Sequence, residues 1–162
     1  MSATLMNERD LEFMLYELFD SEALLNRERY QDHDLQTFNE VINTAKTIAN
    51  KCFLPIRQKL DIHQPTFDGN KVHLIPELKP AIDAVNESGI GSAMADYDVG
   101  GMQLPPIIAS AASAYLTAAG GTGMGYNMLT TANANLLSAH GSIELIETWV
   151  KPMRSGRFMG TM

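Results

Sequence analysis

The chain has 162 residues, 45% of them apolar and 19% charged, a balance typical of a single packed domain and not of a disordered chain. Twelve basic against nineteen acidic side chains give a net charge of −7, so general binding to nucleic-acid phosphates is disfavoured. The single cysteine and an N-terminus without a signal-peptide core favour a soluble, cytoplasmic protein.

Apolar spacing predicts two amphipathic helices in the first third of the chain. Five apolar residues mark the first helix: Leu11, Met14, Leu15, Leu18 and Phe19. Six mark the second helix: Phe38, Val41, Ile42, Ala45, Ile48 and Ala49. Thr37 and Glu40 have the spacing of a capping box at the start of the second helix.

Turn-forming residues separate these helices from a third one. Residues 56–75, with an Asp-Gly pair at 68–69, are expected to form a loop. The third helix is predicted over residues 76–88, with Pro76 in its first turn and Gly89 as its C-cap.

The 45 residues from Val99 through Ile143 include no Asp, Glu, Lys or Arg. Ordinary surface helices have a charged outer face, whereas a membrane span needs about 20 continuous apolar residues, and here prolines and glycines interrupt the run. We therefore predict a hairpin of two helices, roughly residues 105–119 and 124–139. It would be covered on most sides by the rest of the protein or by another molecule.

The last helix is predicted to begin at Ser142 and to end at Gly156. No segment alternates like a strand, with the possible exception of residues 157–162. The sequence therefore predicts an all-α fold, an orthogonal bundle of about five or six helices.

Residues with catalytic or metal-binding spacing are not evident. The four histidines lie far apart, and no His/Cys/carboxylate set has zinc-like spacing. Residues 120–127, GGTGMGYN, resemble a dinucleotide-binding fingerprint, which needs a preceding strand and a glycine at its last position. Here an alanine-rich helix precedes the segment and Tyr126 takes the place of the last glycine, so we reject a dinucleotide site. Some of the ten methionines could line a binding site for a flexible acyl chain, although methionines more commonly fill the hydrophobic core.

Four segments follow one another in the second half of the chain: an Asp-Tyr-Asp-Val-Gly-Gly turn at 96–101, the uncharged helix pair, Ala-His-Gly-Ser at 139–142, and SGRFMGTM at 155–162. Their order and spacing resemble the N-terminal helical domain of the flavin-dependent acyl-CoA dehydrogenases. The resemblance divides the chain into an N-terminal helical extension (1–33), the helical domain (34–156) and the start of a β-domain (157–162).

The sequence RDLEFMLYELFD near the N-terminus is similar to an extension in one branch of that family. The branch includes dehydrogenases of methylthiopropionyl-CoA and of long-chain acyl-CoA, and the extension does not distinguish between these substrates.

The resemblance implies α,β-dehydrogenation of an acyl-CoA thioester: a carboxylate takes the α-proton, FAD accepts the β-hydride, and an electron-transferring flavoprotein receives the electrons. The catalytic carboxylate and most FAD contacts lie in the family's other domains. The resemblance therefore assigns no catalytic residue to this chain, and alone the chain is expected to be inactive. The full-length family members are often homo-oligomers, and neither nucleic acid nor a membrane span is expected.

By the same resemblance, four residues fall near the acyl chain: Gly125, Tyr126, Met128 and Leu129. For Tyr126 the alternative is a core position with a bonded hydroxyl. Met162 falls where the family's first flavin-contacting residue lies.

Two alternatives to the dehydrogenase stay open. One is a relative on the same fold, such as an acyl-CoA oxidase or the DNA-damage-response flavoprotein. The other is a non-catalytic helical binding module whose exposed hairpin recruits a partner.

Overall fold

The computed structural model of the chain describes residues 5–159, apart from the side chains of residues 122–124. Its helices and its one two-stranded ribbon follow in this order: α1 (Glu8–Glu12), α2 (Leu35–Ile48), α3 (Arg57–Ile62), β1 (Thr66–Phe67), β2 (Val72–His73), α4 (Leu78–Glu87), α5 (Pro106–His140), α6 (Ile143–Leu145) and α7 (Lys151–Arg154). Short 3₁₀ and π-helical turns extend several of these helices. The all-α prediction is confirmed.

The core lies between α2 and the first half of α5, and α4 also packs against α2. Phe38 from α2 and Ile108 and Leu116 from α5 are wholly buried. Burial of one such side chain stabilises the fold by roughly 1.5–3 kcal/mol. The apolar spacing predicted for α2 is confirmed, because all of its marked residues from Phe38 to Ala49 are buried.

The start of α2 differs from the predicted capping box. Asp34 is the N-cap, and its Oδ1 accepts hydrogen bonds from the backbone N and the Oγ1 of Thr37, each at 2.7 Å. Glu40 instead accepts a hydrogen bond from Gln36. The box at Thr37 and Glu40 was therefore wrong, because the carboxylate three residues earlier already satisfies the free N–H group.

The Asp34 cap makes stability depend on pH. The two bonds from Thr37 hold the pKa of the Asp34 carboxyl below its ordinary value. The folded state thus binds this proton more weakly than the unfolded chain, so the stabilisation is present above the ordinary Asp pKa and is lost as the pH falls through the lowered folded value. We expect Asp34→Asn, which still offers a capping oxygen, to lose less stability in acid than the wild type.

Urea denaturation at a series of pH values between about 7 and about 3 measures this difference. Asp34→Ala is the control, because it removes both the charge and the cap and should be less stable than Asp34→Asn at neutral pH. An acid slope of Asp34→Asn equal to that of the wild type would contradict the assignment.

Only part of the apolar stripe predicted for the first helix is buried. Leu11 and Leu15 are buried, but Met14, Leu18 and Phe19 are 43%, 58% and 60% exposed. The reason is a π-helical turn over Phe13–Leu18, in which the N–H of Phe19 donates to the carbonyl of Met14, five residues back. A wider turn rotates later residues away from a stripe that assumes 3.6 residues per turn.

The predicted loop at 56–75 was wrong in part, because it contains α3 and the antiparallel ribbon of β1 and β2. At the tip of the ribbon the Asp68 carboxylate accepts from the backbone N–H groups of Asn70 and Lys71. The third helix begins at Leu78 and not in the turn of Pro76, whereas Gly89 has the left-handed φ of 73° expected where that helix ends.

The uncharged segment forms α5, whose 35 residues are interrupted at Gly120, where φ is −160° and ψ is 51°. We call residues 106–119 the N-terminal arm and residues 121–140 the C-terminal arm. A Cβ at Gly120 would lie 2.7 Å from Cδ1 of Phe53, so the break depends on a residue without a side chain. The prediction of two helices is confirmed, with a single residue in place of the expected linker.

The C-terminal helical region begins at Ser142, as predicted, with its Oγ accepting from the N–H of Leu145. A π-helical turn joins α6 to α7, and Gly156 ends the region with a φ of 77°. Residues 157–159 form no strand, and the rest of the predicted strand lies outside the described residues. None of the described helices combines the length and apolar content needed to cross a membrane.

Candidate binding groove

A groove of about 670 Å³ lies between the two arms of α5. Ala109 of the N-terminal arm and Asn135 of the C-terminal arm both line it. In an unbroken helix these two residues would be about 39 Å apart, at 1.5 Å per residue. The break at Gly120 therefore brings both arms to one site.

The third wall of the groove is residues 90–95, between α4 and α5. Hydrogen bonding joins this wall to the C-terminal arm, because Thr131 Oγ1 donates to the carbonyl of Gly91 at 3.2 Å. Local sequence features shape this wall. Gly89 ends α4, and 3₁₀ turns then lead the chain to Leu104, which is buried.

Apart from one arginine, the groove is lined by apolar and neutral polar residues. Met94 and Met128 supply apolar surface, while Ser110, Ser113 and Asn127 supply hydroxyl and amide groups. Ligand-binding clefts are usually about 300–1,000 Å³ and combine mainly apolar walls with a few polar groups, so the volume and lining suit a small organic molecule.

Arg154 of α7 is the one charged residue that lines the groove in the described part of the chain. Its Nη2 donates to Oδ1 of Asn135 at 3.0 Å and to Oγ of Ser138 at 3.4 Å, and its carbonyl accepts from Oγ of Ser92 at 3.1 Å. Its Nε is buried and makes no hydrogen bond with the described residues. Burial lowers the pKa of the guanidinium, and the nearby charge of Asp96 acts in the opposite direction.

The rim of the groove is held by a residue that precedes α2 in the chain. Arg29 donates through Nη2 to Oδ1 of Asp96 at 2.5 Å and to the carbonyl of Met94 at 3.3 Å. The hydrogen bond with Asp96 raises the pKa of Arg29. Met94 itself lines the groove, so this contact fixes part of the wall.

The structure brings two of the four predicted acyl-contacting residues into the groove, namely Gly125 and Met128. Tyr126 is half-buried against the core and lines a separate cavity of about 80 Å³ together with residues such as Leu78. Leu129 is half-buried and is not among the groove-lining residues. Met162 lies outside the described residues, and we assign no FAD contact to the described ones.

Sequence reasoning missed Thr131, Asn135 and Arg154 as lining residues. Thr131 and Asn135 follow Gly125 and Met128 at helical spacing, so extending that face along the helix would have identified them. No local sequence pattern predicts Arg154 as a lining residue. It lies 19 residues after Asn135 and contacts it only because α7 packs on α5.

Among the described residues no group of three or more His, Cys, Asp or Glu side chains could hold a metal ion. Comparison with known proteins identifies no matching family profile and no matching curated sequence.

Proposed function

We propose that this chain is the N-terminal helical part of a cytoplasmic, flavin-dependent acyl-CoA dehydrogenase, which catalyses α,β-dehydrogenation of an acyl-CoA thioester. The groove between the arms of α5 would form one wall of the acyl pocket. The observation that carries the proposal is that a helix pair without a charged residue lines a cavity of ligand size, with the motifs that resemble this family before and after it.

Exposed apolar side chains in and just after the C-terminal arm of α5 support the same function. Met128, Leu136 and Ile143 are 67%, 53% and 81% exposed, although α5 has no charged residue on any face. Apolar side chains this exposed on a segment without charges are consistent with a surface that another domain or partner covers. In a dehydrogenase of this family, the β-domain and the C-terminal helical bundle would cover it, and a homo-oligomer would form mainly through that bundle.

In this proposal the described residues position the substrate and exclude water. FAD, when bound by the other domains, supplies the hydride acceptor, and an electron-transferring flavoprotein takes up the electrons. Gly125 leaves room for the chain of the substrate, and Met128 supplies a flexible apolar contact. Proton abstraction belongs to a carboxylate outside this chain.

A visible absorption spectrum of the protein produced from its complete reading frame tests the proposal. We expect flavin bands that bleach anaerobically when one member of a panel of acyl-CoA thioesters is added, and the responding thioester gives the chain length. Rapid reoxidation by oxygen would instead indicate an oxidase on the same fold. A colourless protein, or flavin bands that no thioester bleaches, would overturn the proposal and leave a helical binding module as the better reading.

A further inference from the structure

We propose that Arg154 makes the groove a site for an anionic amphiphile, a molecule with an alkyl or acyl chain and a carboxylate at one end. The chain would lie along the apolar wall between the arms of α5, and the carboxylate would pair with the guanidinium. The inference rests on the proposed function only in treating the groove as a ligand site, and it requires no flavin.

The charge distribution around the groove favours an anion. The protein as a whole has a net charge of −7, and α5 has no charged residue, yet one cation, Arg154, is among the residues that line this cavity. The nearby carboxylate of Asp96 is already paired with Arg29 at 2.5 Å. No carboxylate of the described residues forms an ion pair with Arg154, so a bound anion would supply the missing partner.

The guanidinium is held in place before any ligand binds. Asn135 and Ser138 both accept from Nη2, and the carbonyl of Arg154 is tied to Ser92. A guanidinium has five N–H donors: Nη2 is used by Asn135 and Ser138, Nε is buried, and Nη1 has no acceptor within the described chain. Nη1 can therefore donate a charge-assisted hydrogen bond to a carboxylate without breaking the contacts that hold the guanidinium.

The remaining walls indicate that the anion has an apolar tail. Met94 and Met128, which are 47% and 67% exposed, line the same groove as Arg154, with the small residues Ala109 and Gly125 beside them. A small inorganic anion would leave this apolar surface wet, whereas an alkyl chain would remove it from water. The volume of about 670 Å³ also exceeds what a small anion needs.

Isothermal titration of the protein from its complete reading frame tests this assignment with three probes at neutral pH. Octanoate has both the chain and the charge, octan-1-ol has the chain alone, and acetate has the charge alone. We expect octanoate to bind at least about tenfold more tightly than octan-1-ol, since a hydrogen bond to a charged group contributes more than a neutral one. Acetate should bind more weakly than octanoate by at least the same factor.

Arg154→Gln should lose the preference for octanoate over octan-1-ol, while Arg157→Gln should keep it. Arg157 is the matched control because it is exposed and lies over the ring of Phe158, outside the groove lining. If Arg154→Gln does not fold, Arg154→Lys keeps the charge but not the guanidinium that Asn135 and Ser138 hold in place, and it should show a reduced preference.

Equal affinities for octanoate and octan-1-ol would overturn the inference, and so would an unchanged preference in Arg154→Gln. Acetate binding as tightly as octanoate would reduce the site to a small-anion site and overturn it as well. A colourless protein that fails the spectral test can still bind octanoate through Arg154, so the two proposals fail separately.

Discussion

Replacing Phe53 with alanine should lower the free energy of unfolding by about 3–5 kcal/mol. Phe53 is wholly buried in the π-helical turn that follows α2, and its ring lies at the break in α5. Removing the ring leaves a cavity that packed neighbours cannot fill completely, so the lost transfer energy and the cavity both contribute. Denaturant titration followed by circular dichroism measures the change.

The control for this substitution is Phe67→Ala. Phe67 lies on the exposed ribbon and is 67% exposed, so its removal should change stability by less than about 0.5 kcal/mol. If Phe53→Ala were no more destabilising than Phe67→Ala, Phe53 would not belong to the core.

The contact between Phe53 and Gly120 allows a sharper version of this experiment. A Cβ at residue 120 would lie 2.7 Å from Cδ1 and 2.9 Å from Cβ of Phe53, so Gly120→Ala alone should destabilise by about 1–3 kcal/mol. In the Phe53→Ala background the same change should be less destabilising, because the ring contact is gone and only the approach to Cβ of residue 53 remains. Gly125→Ala, whose Cβ would meet nothing within 4 Å, should not show this coupling. Additive effects of the Phe53 and Gly120 changes would contradict the contact.

Gly156→Ala should lower the free energy of unfolding by about 2–5 kcal/mol, the sum of two effects. The left-handed conformation, with φ of 77°, disfavours a side chain by about 1–2 kcal/mol. A Cβ would also lie 2.6 Å from Cβ of Asn86, and overpacking of this kind destabilises by about 1–3 kcal/mol.

Gly69→Ala separates the two effects. Gly69 also has a positive φ, of 97°, but a Cβ there would meet nothing within 4 Å, so only the conformational loss of about 1–2 kcal/mol should appear. Equal losses at the two positions would show that Asn86 does not restrict residue 156. The result also bears on the groove, because the contact between Gly156 and Asn86 helps to place α7 and hence Arg154.

Local patterns in the sequence determined the elements whose structure depends on near neighbours. The spacing from Phe38 to Ala49 gave α2 its buried face, and Ser142 and Gly89 mark helix ends because capping involves residues only a few positions apart. The same reasoning failed at Leu18, since a π-helical turn changes the period on which an apolar stripe depends.

The groove was decided by tertiary structure. The absence of charged residues from Val99 through Ile143 indicated a segment that the rest of the protein or another molecule covers. It did not indicate how the two arms of α5 are oriented at Gly120. Tyr126 and Met128 are two residues apart on one helix, and only packing against the core decided that Met128 faces the groove while Tyr126 faces the other cavity. Arg154 and Asn135 meet for the same reason: side chains far apart in sequence are brought together by how helices pack, which local periodicity does not encode.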